Sequence, residues 1–195
     1  MIESLRAKYK AAYEKAGAKL SPTPFLIKAL VATLRLHPRF NASLNEVGES
    51  LVLKQYYHIG IAVDTDVGLM VPVIRDADKK SLLELAKDLA AISEKARERK
   101  LTPEAMTGGS FTISNQGAIG GSHFTPIVNK PEVAILGLGK TNKMPVVVGD
   151  KIEIRPMLPL TVSYDHRVND GGAAARFVVD LVKAIQEFPE AAVKI

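Results

Sequence analysis

A helix that is apolar on almost every side must be covered on almost every side, and one stretch of this chain demands that. "SPTPFLIKALVATLRLHP" (Ser21–Pro38) opens on Ser and Pro, which suit a helix start, and stops at a Pro that cannot continue one. Between Phe25 and Leu36 only Lys28, Thr33 and Arg35 are clearly polar. Such a helix belongs inside a layered fold, with other elements packed around most of its girth. A chain of 195 residues has room for one domain with a real core.

The flanking patterns supply those other elements. Residues 3–17 read as a polar amphipathic helix that ends at Gly17. From Leu51 to Arg75 the pattern turns to strand: "LVLKQYYHIGIAVDT" and "LMVPVIR" are rich in Val, Ile and Tyr and are split by a turn at Asp66-Val67-Gly68. Ser81 with Glu84 is a capping box, opening a helix with Leu82, Leu85, Ala86, Leu89 and Ala96 on one face. Thr102-Pro103-Glu104 starts a short helical turn. "SFTISN", "EVAILGL", "VVV" and "IEIRPMLPLTVSY" follow as strands, and apolar positions 174, 177, 178, 181, 182 and 185 mark a last helix. The order helices, strands, helix, strands, helix predicts a single α/β domain with a mixed sheet and no regular βαβ rhythm.

Several chemistries are excluded or disfavoured. With no cysteine there is no disulfide, thiolate metal site or Cys nucleophile, which fits a reducing cytoplasm. No stretch of ~20 apolar residues predicts a membrane span. "MIESLRAKYK" is charged from its third residue and is no secretory signal, so the sequon Asn41-Ala42-Ser43 is read as chance. The net charge of +5 comes without basic runs interleaved with aromatics, which argues against nucleic acid. "GLGKT" (137–141) fails as a phosphate loop because Ala134 stands where the first Gly is needed. "DTDVG" (64–68) lacks the third acid and the closing Glu of a calcium loop. No two of the four histidines stand four apart with carboxylates at ligand spacing, so no metal is expected. His37 reads as a helix-end residue, His58 as strand packing and His123 as a loop residue.

"SYDHRVNDGG" (Ser163–Gly172) is different. A turn needs the glycines and one Asp; it does not need His166 between Asp165 and Arg167 with Asp170 four residues on. A His base near pKa 6.5 removes a proton at neutral pH when its tautomer is fixed and one nitrogen faces the substrate. Asp165, Arg167 and Asp170 can hold the surrounding loop by charge-assisted hydrogen bonds. Asp170 also falls where a helix begins and can cap it, and Gly171 and Gly172 permit close approach of another backbone or a substrate. An ion-pair corner that only closes the fold explains Asp165 and Arg167 but not the imidazole.

These residues resemble the DHRxxDG signature of the dihydrolipoyl acyltransferases, the core subunits of 2-oxo acid dehydrogenase complexes such as pyruvate dehydrogenase. "KLSPTPFLIKAL", "HPRFNASL", "HIGIAVDTDVGLMVPVI", "KSLLELA", "GGSFTISNQGAIGG", "FTPIVNKPEVAILGLGK" and "MLPLTVSYDHR" also resemble family segments, in family order. The resemblance implies a chloramphenicol-acetyltransferase-like fold, a mixed sheet with helices packed mainly on one side. It implies acyl transfer between dihydrolipoamide and coenzyme A, with His166 as general base, Ser114 of "FTISNQG" as the oxyanion donor and Asp170 orienting the loop. Arg6 is placed, by the same resemblance, near the nucleotide end of coenzyme A. The lipoyl group would arrive on a domain absent from residues 1–195, and no lipoyl or subunit-binding domain is read in them. Relative to the family, the catalytic domain is expected to lack an N-terminal helix and strand.

The resemblance further implies a homotrimer in which His166 of one chain meets Ser114 of the next, with "GAIGGSHFTPIVN" packed between chains. Cages of trimers are the next level, to which the tail "AAVKI" is expected to contribute, and decarboxylase and dihydrolipoyl dehydrogenase subunits are the implied partners. Two other readings stay open: a non-catalytic scaffold, which would need neither His166 nor Ser114, and a free acetyltransferase using coenzyme A. Acetyl, succinyl and branched-chain groups are not distinguished.

Overall fold

Helix α2 (Pro22–Leu36) is covered as its composition requires: Phe25, Ile27, Leu30 and Leu34 are completely buried. The structure is a computed structural model that describes residues 1–45 and 47–195. Lys28, the polar residue in the middle of α2, reaches out to the carbonyl of Asp78. Helix α1 (Ile2–Lys15) ends at Gly17, whose φ of 77° suits a residue without a Cβ.

The sheet that covers α2 follows. A small hairpin, β1 (Ala42–Leu44) with β2 (Leu51–Leu53), stands apart from it. The main sheet contains β3 (Ile59–Thr65), β4 (Gly68–Met70), β5 (Val73–Ile74), β6 (Phe111–Asn115), β7 (Ala134–Leu138) and β10 (Leu160–Tyr164). Its order is β10-β7-β6-β3-β4, with β5 also on β3. β3, β6 and β7 run parallel, and β10, β4 and β5 run antiparallel to their neighbours, so the sheet is mixed as expected. Helix α3 (Leu82–Arg97) carries the expected capping box at Ser81 and Glu84, and helix α4 (Gly171–Gln186) follows β10.

Alternation along the strands separates two faces. Ile59, Ile61, Phe111, Ile113, Ala134 and Leu136 join α2 and α4 residues such as Leu30, Leu34, Phe177 and Leu181 in one buried cluster. The opposite face carries Gly60, Ala62, Thr112, Ser114, Ile135, Gly137, Thr161 and Ser163, aligned in rows by the register. This face is small and hydroxyl-rich, and a loop lies over part of it: a Cβ on Gly137 would stand 3.0 Å from Phe124 and 3.1 Å from Pro126. Gly139 is also obligatory, since a Cβ there would fall 1.7 Å from the Ser122 carbonyl oxygen.

Three expectations are adjusted. The segment "IEIRPMLPLTVSY" is two strands, because it changes partner at Leu158–Pro159: β9 (Lys151–Met157) pairs with β8 (Asn142–Val148), while β10 pairs with β7. His37 is more than a helix-end ring, for its Nε2 lies 2.7 Å from the Asp180 carboxylate and its ring packs on Phe177, tying α2 to α4. In the tail, Val193 is completely buried and its carbonyl accepts the Tyr13 hydroxyl at 3.0 Å, so this apolar side chain is turned inward while Ala191, Ala192, Lys194 and Ile195 are exposed. Asn41, in the sequon, is 1% exposed and donates to the carbonyls of Lys54 and Tyr56, which removes it from any surface chemistry.

Candidate active site

The strand β10 delivers the "DHRVND" loop. Its last tie to the sheet is the N–H of Asp165, which donates to the Val133 carbonyl at 2.8 Å. The carbonyl of Asp165 then accepts from the N–H groups of Val168 and Asn169, making the tight turn that carries His166 at its outer side. The Asp165 carboxylate grips Arg167 by its backbone N–H and its guanidinium, with Nη2 to Oδ2 at 2.6 Å. Arg167 holds the Asp165 carboxyl below the usual range. The His166 imidazole is exposed and lies beside the Tyr164 ring, centroids 5.8 Å apart.

Asp170 begins the last helix. Its Oδ1 accepts from the Ala173 N–H at 2.7 Å, and that bond keeps its carboxyl below the ordinary value. Among the described residues, a Cβ at Gly171 or Gly172 would meet nothing closer than 3.4 Å, so no described intrachain contact demands those two glycines.

A second clamp comes from a residue the sequence reading did not single out. The Arg39 guanidinium donates through Nε and Nη2 to the Val168 carbonyl, and Asn169 Nδ2 returns a bond to the Arg39 carbonyl. Arg39 stands in the quoted "HPRFNASL", but no local pattern links it to a loop 129 positions away. Thus Val133 and Arg39 hold the two ends of the His166 turn.

Ser114 sits on β6 between Ala62 and Gly137, half-buried on the small-residue face. Its neighbours Ile113 and Asn115 line a cavity of about 840 Å³ that opens toward Lys19, Ser93 and Arg97. Ser114 and His166 are not brought together within one chain. Ser114, Gly137 and Thr161 share a row, and Asp165 is four residues farther along β10. That is ~13 Å along the strand and ~10 Å across two strand spacings, far beyond hydrogen-bond reach. Arg6 lies on α1; its guanidinium donates to the Glu3 carboxylate at 2.6 Å and to the Leu20 carbonyl at 3.2 Å.

Residues 1–193 match the family described as 2-oxoacid dehydrogenases acyltransferase (catalytic domain). The chain belongs to that family. This acyltransferase-family chain is 56% identical over 176 residues to the dihydrolipoyllysine-residue acetyltransferase component of the pyruvate dehydrogenase complex of Pseudomonas aeruginosa. The match covers 90% of this chain and 32% of the relative, so the chain spans about a third of the length of that protein. Two solved structures, each 51% identical with a TM-score of 0.94, cover 99% of the chain and themselves are covered to 79%. One belongs to work on a serine, a histidine and an asparagine in the catalytic mechanism of Azotobacter vinelandii dihydrolipoamide acetyltransferase, the other is the cubic core of a pyruvate dehydrogenase multienzyme complex. A chloramphenicol acetyltransferase, 15% identical at a TM-score of 0.53 over 97% of this chain and 83% of its own, shares the fold. No described helix of the acyltransferase-family chain is long and apolar enough to cross a membrane.

Proposed function

We propose that the chain transfers an acyl group between dihydrolipoamide and coenzyme A, as part of a 2-oxo acid dehydrogenase complex. One observation carries this reading. The serine, histidine and asparagine of the A. vinelandii enzyme are separated by fifty-two and then four positions, and Ser114, His166 and Asp170 have those same separations here. Asp170 takes the place of the asparagine, and either side chain caps a helix well.

In this reading a neutral His166 takes the proton of the attacking thiol. A thiol of pKa ~8.5 is mostly protonated at pH 7, so a base raises the thiolate supply. The thiolate adds to the thioester carbonyl, the Ser114 hydroxyl donates to the oxygen that gains charge, and collapse releases the other thiolate, which recovers the proton from the imidazolium. Asp170 fixes the loop by capping α4.

Because Ser114 and His166 lie at opposite ends of one sheet, the working unit is a homotrimer in which they meet across an interface. The ribbon β8–β9 supports this: Pro145, Val147, Ile152, Ile154 and Pro156 share one face, with Val147, Ile152 and Ile154 72–77% exposed. Trimers are a regular closed symmetry and the building unit of larger cages. Decarboxylase and dihydrolipoyl dehydrogenase subunits are the partners of such a complex. Arg6 is retained as a contact for the phosphates of coenzyme A, exchanging Glu3 for them; Arg6→Ala would weaken coenzyme A binding in calorimetry and leave dihydrolipoamide binding unchanged.

The direct test offers acetyl-, succinyl- and isobutyryl-CoA with free dihydrolipoamide to the purified chain. Thioester formation with one of them is expected, and the preferred donor names the acyl group. A correctly folded trimer that forms no thioester with any donor overturns the reading and leaves the scaffold.

A further inference from the structure

The buried carboxyl of Glu132 has no part in the chemistry above, yet it lies beneath the loop that performs it. Glu132 is 6% exposed and immediately precedes Val133, whose carbonyl holds Asp165. Its backbone bridges Ser43 of β1, and its N–H donates to the Asn129 carbonyl at 3.0 Å. The side chain fills the space over Gly109, where a Cβ would stand 2.6 Å from Oε1. Among the described residues, Oε2 is fully buried without a hydrogen-bond partner, and so is the hydroxyl of adjacent Thr112. A carboxyl placed at such cost, with two acceptor oxygens and an unpaired hydroxyl beside it, calls for a proton between them.

We propose that Glu132 is a positioning residue for His166, acting through the Val133–Asp165 bond. The cleft above it, about 390 Å³, is walled by Asp165 and Arg167 on the loop side and by Lys130, Asn45 and Gly48 opposite. The charged groups facing it among the described residues are therefore Lys130 and the Asp165–Arg167 pair, with Arg75 against neighbouring Gly108. The pair neutralises itself, and among the described residues neither Lys130 nor Arg75 forms an ion pair with Glu132; Arg75 instead donates to the carbonyls of Glu104 and Thr107. Burial pushes the carboxyl up to about 7, and the approach of Thr112 and Asn129 offsets only part of that. In neutral form Glu132 seats the start of β7 against β6. Once ionised, it is an unpaired buried charge that the strand start relieves by moving, and Val133 carries that movement to the turn bearing His166.

This inference rests on the acyl-transfer reading for its kinetic consequence but has a second readout that does not. Glu132→Ala is expected to lower kcat by about 100-fold with KM unchanged, the effect of misplacing a reacting group by roughly 1 Å. Glu132→Gln, a neutral isostere, restores most of that loss. Independently, amide exchange at Asp165, Val168 and Asn169, corrected for intrinsic rate, should quicken as pH rises through 7 in the wild-type chain and stay flat in Glu132→Gln. Equal exchange profiles in the two proteins, or a Glu132→Ala variant that folds and keeps wild-type kcat, overturns the positioning role. A chain without acyltransferase activity that still shows the exchange difference keeps the inference and discards the proposed function instead.

Discussion

Arg39 and Val168 stand 129 positions apart in the chain, and the guanidinium of the first donates two hydrogen bonds to the carbonyl of the second. A planar fork on one carbonyl fixes direction as well as distance, which a lysine cannot reproduce. Arg39→Ala is therefore expected to lower kcat by about 10- to 100-fold through misplacement of His166, with KM nearly unchanged. Arg39→Lys should recover only part. Steady-state kinetics beside a thermal melt separates this from general loss of fold.

Replacing His166 by Ala should remove about 10²- to 10⁴-fold of the rate, and Ser114→Ala about 10- to 10³-fold. The two inactive proteins, mixed under conditions of proven subunit exchange, should regain part of the activity, since some interfaces then pair an intact His with an intact Ser. No recovery would mean that each site does not combine His166 of one chain with Ser114 of another, and would defeat the shared-site trimer.

Glu132 links stability to pH. Its folded carboxyl titrates at about 7, against an ordinary value of 4.5. Between those pH values the folded state holds a proton that the unfolded chain has released, so stability falls as pH rises through the window and is fullest below 4.5. The loss approaches about 3 kcal/mol above pH 7 for a shift of this size. Denaturant melts at pH 5 and pH 8 should show this drop in the wild-type chain and a much smaller one in Glu132→Gln.

Asp170 caps α4, so Asp170→Ala should lower Tm by about 2–4 °C, the shift expected for loss of one N-cap in a chain of this size. Asp170→Asn should melt near wild type. A wild-type Tm for the Ala variant would show that the cap adds nothing to the stability of α4.

The elements most legible in the sequence were those with strong local signals. Helix α2 followed from its Pro boundaries and apolar girth, α3 from Ser81 and Glu84, and the β3–β4 turn from Asp66-Val67-Gly68. The start of α4 at Asp170 was readable for the same reason. What escaped was set by distance along the chain. Arg39 has no local partner, and Glu132 is an ordinary residue of a Pro-Glu-Val segment until Gly109 and Thr112 close over it. The break of "IEIRPMLPLTVSY" into β9 and β10 depends on which strand lies alongside, and β-propensity carries no record of partners. Ser114 is singled out by the resemblance and by no local pattern of its own, and its place on the small-residue face appears only once three strands are in register.

Among the described residues, the β8–β9 ribbon pairs only with itself. A two-stranded ribbon is marginal in water by itself, whereas β6 and β7 are locked between neighbours on both sides. Cooperativity in this chain is therefore divided: the ribbon opens as a local event of low free energy while the central strands open only with the whole domain. In an assembly that covers the apolar face, the ribbon borrows its persistence from the concentration of other chains. Dilution would then strip exchange protection from the cross-strand bonded amides of Val146 and Glu153 first and leave Ile113 and Leu136 protected, so the ribbon amides report association while the sheet amides report folding.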